Sequence, residues 1–322
     1  MLIGHQRLWN FLVKSAQKNR LAHAYLFSGP AELGKKTLAL EFAKWLLCLN
    51  RKNNEACNVC RNCQDILQNR HPDVFLLAPR REEKKGVLKT YEISIEEIRD
   101  FIHHLSLSPY SSAFKIAIVD EADWLSREAV NSFLKTLEEP SSQSLIFLIT
   151  SDFKAILPTI ISRCQLLRFL PISEKEIGQA ARAETKSETI LKKAARLCAG
   201  RPGRLLKILR QPEILKKQEE QFELFGKILK ADILWRFEWT KEAVKDAVAL
   251  QEILSHWLLW LRDQILVAAS CAKFSLQENP PKLGRSLREI TQTMREIQHT
   301  RALISNPSFD ARLALENLML KI

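Results

Sequence analysis

Residues 24–47 read AYLFSGPAELGKKTLALEFAKWLL, and the fold follows from how this stretch divides. AYLFS is a short apolar run stopped by Gly29 and Pro30, as a buried strand entering a loop should be. KKTLALEFAKWLL places Leu38, Phe42, Trp45 and Leu46 on a rough common face, which predicts a helix. The join carries Gly29, Gly34 and Lys35 where a G-x-x-x-x-G-K-[ST] phosphate loop needs them. In such a loop backbone N–H groups turn inward at a helix N-terminus, and the lysine reaches the β- and γ-phosphates. The next position should hold a hydroxyl for Mg²⁺. It holds Lys36, which cannot ligate a cation. Thr37 lies one residue on, about 100° further round the helix. Glu32 adds negative charge to a loop meant for anions. The loop reads as a degenerate nucleotide site, for which ATP with Mg²⁺ is a doubtful ligand.

Downstream, FKIAIVDEAD ends an apolar run with carboxylates. Asp120 stands where a nucleotide-bound Mg²⁺ would be held, and Glu121 where a water would be polarised. The simpler alternative is that both residues cap the helix that follows. That helix sets Val130, Phe133, Leu134 and Leu137 on one side. ISIEEIRDFIHHLSL predicts another, capped by Ser94 with Glu97 completing a capping box. PDVFLLAP, SLIFLITSD and QLLRFLPI read as further strands. Strands alternating with helices imply a parallel α/β sheet. After Pro171 the strand signals stop and the pattern is helical to the end, with FSLQENPPKLGR, residues 274–285, as the longest loop.

Four of the seven cysteines, Cys48, Cys57, Cys60 and Cys63, are spaced C-x₈-C-x₂-C-x₂-C. Overlapping C-x₂-C pairs let thiolates converge on one ion, and four thiolates suit a closed structural Zn²⁺ site with no open catalytic position. An iron–sulfur cluster or free thiols are the alternatives. Cys164, Cys198 and Cys271 are scattered and read as small apolar residues.

The 322 residues suffice for two or three domains, and 46% hydrophobic with 27% charged residues is ordinary for a globular chain. No secretory signal is visible at the start, and ILSHWLLWLRDQILVAAS is interrupted by His256, Arg262 and Asp263, which favours a buried helix over a membrane span. A cytoplasmic location is expected. The net charge of +12 is spread along the chain. It allows nucleic-acid contact, and equally a solvated basic surface.

Several stretches together resemble bacterial DNA polymerase III clamp-loader subunits of the AAA+ superfamily. They are IGHQ (3–6), RLAHAYLFSGP (20–30), the four-cysteine segment, VDEAD (119–123), NSFLKTLEEPS (131–141), ISRCQ (161–165) and AGRPGR (199–204). NPSFDARLALENLML (306–320) is similar to the family's last collar helix. The altered loop with an intact Ser162-Arg163-Cys164 looks most like the delta-prime type. The resemblance implies an AAA+ domain with a zinc-binding insertion at residues 1–171, a helical lid at 172–207 and an all-helical collar at 208–322. It implies a component of the polymerase holoenzyme with no independent activity, assembled with gamma/tau- and delta-type subunits in a ring. That ring would load a sliding clamp on primed DNA, without a membrane. Arg163 would be an arginine finger acting on a neighbour's ATP, and Arg204 a sensor facing any nucleotide in this chain. On the residues alone, a salt-bridged surface arginine is the alternative reading of Arg163. ITSD (149–152) departs from the threonine/serine-asparagine of the hydrolysing subunits. The competing readings are an active gamma/tau-like motor and a stand-alone zinc-containing nucleic-acid-binding protein.

Overall fold

A computed structural model describes residues 2–52, 54–84, 87–110, 113–140, 143–184, 187–271, 275, 284–304 and 309–322. The chain divides into two compact units: residues 1–180 with 200–204, and residues 181–199 with 205–322.

The first unit begins with α1 (Gln6–Gln17), β1 (Ala24–Ser28), α2 (Lys35–Leu47) and α3 (Arg61–Leu67). It continues through β2 (Val74–Leu77), a hairpin of β3 (Arg81–Lys84) and β4 (Val87–Thr90), and α4 (Ile95–Ser106). Then come β5 (Lys115–Val119), α5 (Arg127–Glu138), β6 (Ser144–Thr150), α6 (Pro158–Ile161) and β7 (Gln165–Arg168). Five strands form one sheet in the order β2-β5-β6-β1-β7, every pairing parallel. The alternation read from the sequence is therefore met. The hairpin was not anticipated, because REEKKGVLKT carries no apolar alternation.

Strand period decides the core. Tyr25, Phe27, Phe147 and Ile149 point to one face, where α1 and α2 cover them with Leu12, Leu38, Phe42 and Trp45. Ala24, Leu26, Ile146 and Leu148 point to the other, under Ile98 and Phe101 of α4 and Phe133 of α5. Both faces are thus dry: β1, β5 and β6 are buried along their whole length, with polar residues only at their ends apart from the Tyr25 hydroxyl. The backbone N–H of Glu97 donates to Ser94 Oγ at 3.3 Å, and the Ser94 N–H donates to the Glu97 carboxylate at 2.9 Å. The expected capping box is present. Ser94→Ala is expected to lower stability by about 1 kcal/mol in chemical denaturation, since it leaves the N–H of Glu97 without its acceptor.

α7 (Glu174–Glu184) and α9 (Pro202–Arg210) run across the boundaries between the units. The second unit is helical: α8 (Glu188–Leu197), α10 (Glu213–Ile228), α11 (Ile233–Ala243), α12 (Ala247–Ala268), α13 (Leu287–Ile304) and α14 (Ala311–Lys321). Phe225 stacks on Trp257 with centroids 4.5 Å apart, and Trp260 meets Phe225 edge-on at 5.3 Å. These rings, with Leu254, Ile297 and Leu315, form a separate core. α12 is the apolar stretch noted in the sequence. Among the described residues no helix is long and apolar enough to cross a membrane. The loop expected over 274–285 falls mostly outside the described residues, as do residues 306–308 ahead of α14.

Candidate functional site

The loop after β1 is built by three residues with positive φ. Gly29 has φ 151°, and a Cβ there would run into the carbonyl of Phe169 just past β7. Gly34, with φ 85°, stands at the N-cap of α2 without a side-chain cap, so the first turn of that helix is left for another acceptor. Glu32 adopts φ 64°, and its carbonyl accepts from the Gly203 N–H at 2.8 Å. A Cβ on Gly203 would lie 2.9 Å from that carbonyl, so the small residue at 203 is what lets the start of α9 close on the loop.

The loop lines a cavity of about 520 Å³ together with the end of β5. Gly34, Lys35, Lys36, Thr37, Asp120 and Glu121 all face it. Two residues the sequence reading did not single out, Arg81 and Asp123, face it as well. Lys35 is only 5% exposed. Its ammonium donates to the carbonyls of Gly29 and Pro30, the latter at 2.6 Å, and reaches Ser151 Oγ at 3.5 Å. Burial pulls its pKa down to about 8, against the opposing pull of Asp120. Lys36 turns to the strand carboxylate instead, with Nζ 3.3 Å from Asp120 Oδ2. Glu121 has φ 54° and takes Arg81 Nη2 on both carboxylate oxygens at 2.6 Å. Asp123 Oδ1 accepts from the Thr150 hydroxyl at 2.7 Å. Neither Asp120 nor Glu121 caps the next helix; Ser126 does, accepting from the Ala129 N–H at 3.2 Å. Gly203, next to Arg204, lines the cavity, and Arg201 depresses the Lys35 pKa further; Arg204 is half-buried and is not among the lining residues.

Arg163 is elsewhere. It follows α6 and precedes β7 at the edge of the sheet. Its Nε and Nη2 donate to Glu138 Oε1 at 2.9 and 2.5 Å, and its Nη1 donates to the Thr159 carbonyl at 2.9 Å and to Ser162 Oγ at 3.1 Å. The register pairs Gln165 with Tyr25, four residues before Gly29. At ~3.3 Å per residue this separates the Arg163 end of the sheet from the chain's own phosphate loop by about 13 Å.

The four cysteines do converge. Their sulfurs all lie within 4.8 Å of one another, and Cys48 Sγ is 4.0 Å from Cys60 Sγ. Sulfurs about 3.8 Å apart are what a tetrahedral ion with ligands at ~2.3 Å requires. Cys48 closes the end of α2, Cys60 opens α3 and Cys63 lies in its first turn. The Cys57 N–H donates to Cys48 Sγ, and the Cys60 N–H to Cys57 Sγ, both at 3.3 Å. Amide donors from Val59 and Cys60 hold the Cys57 thiol below its ordinary pKa. Lys44 Nζ donates to Asn58 Oδ1 at 2.9 Å, and Asn62 Nδ2 to the Leu47 carbonyl at 2.8 Å, tying the segment to α2. The cluster can hold a metal ion with four sulfur ligands.

Residues 4–173 match a family model described as "DNA polymerase III, delta subunit". The chain is 39% identical over 171 residues to DNA polymerase III subunit delta' of Bacillus subtilis (strain 168), covering 53% of this chain and 49% of that one. It is 36% identical over 159 residues to the delta' subunit of Pseudomonas aeruginosa, covering 49% and 45%. A tau/gamma subunit of Haemophilus influenzae is 32% identical over 178 residues, covering 55% of this chain and 24% of that one. The chain thus spans about half the length of the delta' relatives it matches. With more than half of its residues under one family model, the chain belongs to the DNA polymerase III delta-subunit family.

Proposed function

We propose that this chain is a delta'-type subunit of a clamp loader, which joins tau/gamma- and delta-type subunits and helps them place a sliding clamp on primed DNA. In this reading it hydrolyses no ATP itself. It presents Arg163 to the nucleotide of a neighbouring subunit, where a guanidinium stabilises negative charge developing on the γ-phosphate. The observation that carries the reading is the position of Arg163: its backbone lies at the opposite end of β1 from this chain's own loop, so it is available to a second molecule docked on that edge. Residues 1–171 would be the AAA+ domain, 172–207 the lid and 208–322 the collar through which the ring assembles. The metal of Cys48, Cys57, Cys60 and Cys63 would be a structural Zn²⁺, since the donor set is all sulfur and the site is closed.

Two features weigh against the motor reading: the loop position that should carry a hydroxyl is Lys36, and Glu121 is held by Arg81 rather than left to a water. The test is reconstitution. The chain alone is expected to turn over ATP negligibly, whereas adding it to tau/gamma- and delta-type subunits should raise clamp- and DNA-stimulated turnover. Rapid hydrolysis by the isolated chain, or a complex indifferent to its addition, would remove the proposal.

A further inference from the structure

A nucleotide-bound Mg²⁺ does not fit the cavity beside the phosphate loop. It takes oxygen ligands at about 2.0–2.1 Å, typically a hydroxyl from the loop and a carboxylate at the end of a neighbouring strand. The hydroxyl position is Lys36, and the carboxylate that would serve, Asp120, already receives the Lys36 ammonium at 3.3 Å. The next carboxylate, Glu121, is occupied on both oxygens by Arg81, and Asp123 takes the hydroxyl of Thr150. Lys36 and Asp120, which both line the cavity, are 41% and 19% exposed in their side chains, so the carboxylate side of the pair is the more shielded from solvent.

We infer that Lys36 is a built-in replacement for the divalent cation. Its ammonium supplies to Asp120 the positive charge that Mg²⁺ supplies in a hydrolysing subunit. It thereby closes the site to Mg²⁺–nucleotide, and any phosphate anion that enters does so without a divalent ion. Two effects act together. A cation approaching Asp120 meets the like charge of Lys36 a few ångströms away. Should Lys36 swing into solvent, the loop still offers no hydroxyl in the first turn of α2 at that position, and Thr37 points about 100° away. The other parts of a phosphate cradle remain: Gly29 and Gly34 in their left-handed turns, the first turn of α2, and Lys35. One residue therefore decides the ligand. The inference rests on the phosphate-loop reading of this segment and is independent of Arg163.

The test is equilibrium binding of ATP to the full-length chain, in excess Mg²⁺ and again in excess EDTA. The wild-type chain is expected to gain nothing from Mg²⁺. Lys36→Thr restores the hydroxyl and frees Asp120, and should bind ATP on the order of 10-fold or more tighter with Mg²⁺ than with EDTA. Lys36→Ser offers the same ligand on a smaller side chain and should behave alike, which guards against a local packing fault in one variant. Lys36→Met removes the charge without providing a ligand and should show no Mg²⁺ gain. Adding Asp120→Asn to Lys36→Thr should abolish the gain. Mg²⁺-enhanced binding by the wild type, or its absence from both hydroxyl variants while they melt like the wild type, overturns the inference. Because the measurement uses the isolated chain, its failure leaves the role of Arg163 in the complex untouched, and the reverse also holds.

Discussion

Arg163→Ala is expected to leave the chain folded and able to assemble, and to lower ATP turnover of the reconstituted complex by a factor on the order of 10³. The folding part follows from exposure. The Arg163 and Glu138 side chains are 33% and 49% exposed, so their pair contributes about 0–1 kcal/mol and its loss is tolerated. The catalytic part follows from geometry. A guanidinium carries donors in a rigid fork that matches two phosphate oxygens, and Arg163 commits that fork to Glu138, Thr159 and Ser162 in the single chain. On docking, the neighbour's phosphate would replace part of that set. Arg163→Lys keeps the charge and loses the fork, so it should recover little of the rate. The two readings of the arginine separate here: a salt-bridged edge residue would change melting slightly and turnover not at all. Unchanged turnover with Arg163→Ala in an intact complex would reduce Arg163 to that role.

The second large effect concerns the cysteines. Metal analysis of protein purified under reducing conditions should return one zinc per chain. Stripping it, or replacing Cys60 by Ser, should unfold the segment between Cys48 and α3 and lower the melting temperature of the first unit. Binding energies of about 10–16 kcal/mol are known for zinc-finger peptides that are unfolded without metal. The stabilisation here should be smaller, because three of the ligands, Cys48, Cys60 and Cys63, already sit at the ends of α2 and α3, and the Lys44–Asn58 and Asn62–Leu47 hydrogen bonds anchor the connecting loop. The damage should spread back along α2 toward the phosphate loop, visible as faster amide exchange at α2 residues preceding Lys44. Iron with visible absorbance would identify a cluster instead, and protein without metal at full stability would dismiss the site.

What the sequence by itself determined was local or periodic. Ser94 and Glu97 close a capping box within one turn, so four residues suffice to read it. The alternation of Ala24, Tyr25, Leu26 and Phe27 sorts side chains to the two faces whatever the neighbouring strands are. The two C-x₂-C steps bring thiolates together through a short loop, and Gly29 and Gly34 mark left-handed turns where they are needed. Only the tertiary structure decided which charges meet. Lys36 finds Asp120 because β6 alone separates β1 from β5, placing the ends of those two strands around one cavity. Arg81 reaches Glu121 from a hairpin with no apolar signature, and Glu138 meets Arg163 across the end of α5. Such pairs depend on the order of strands in the sheet, and no periodicity within a strand or helix encodes that order. For this reason the phosphate loop was legible from residues 29–37, whereas the ammonium standing in for its metal was not.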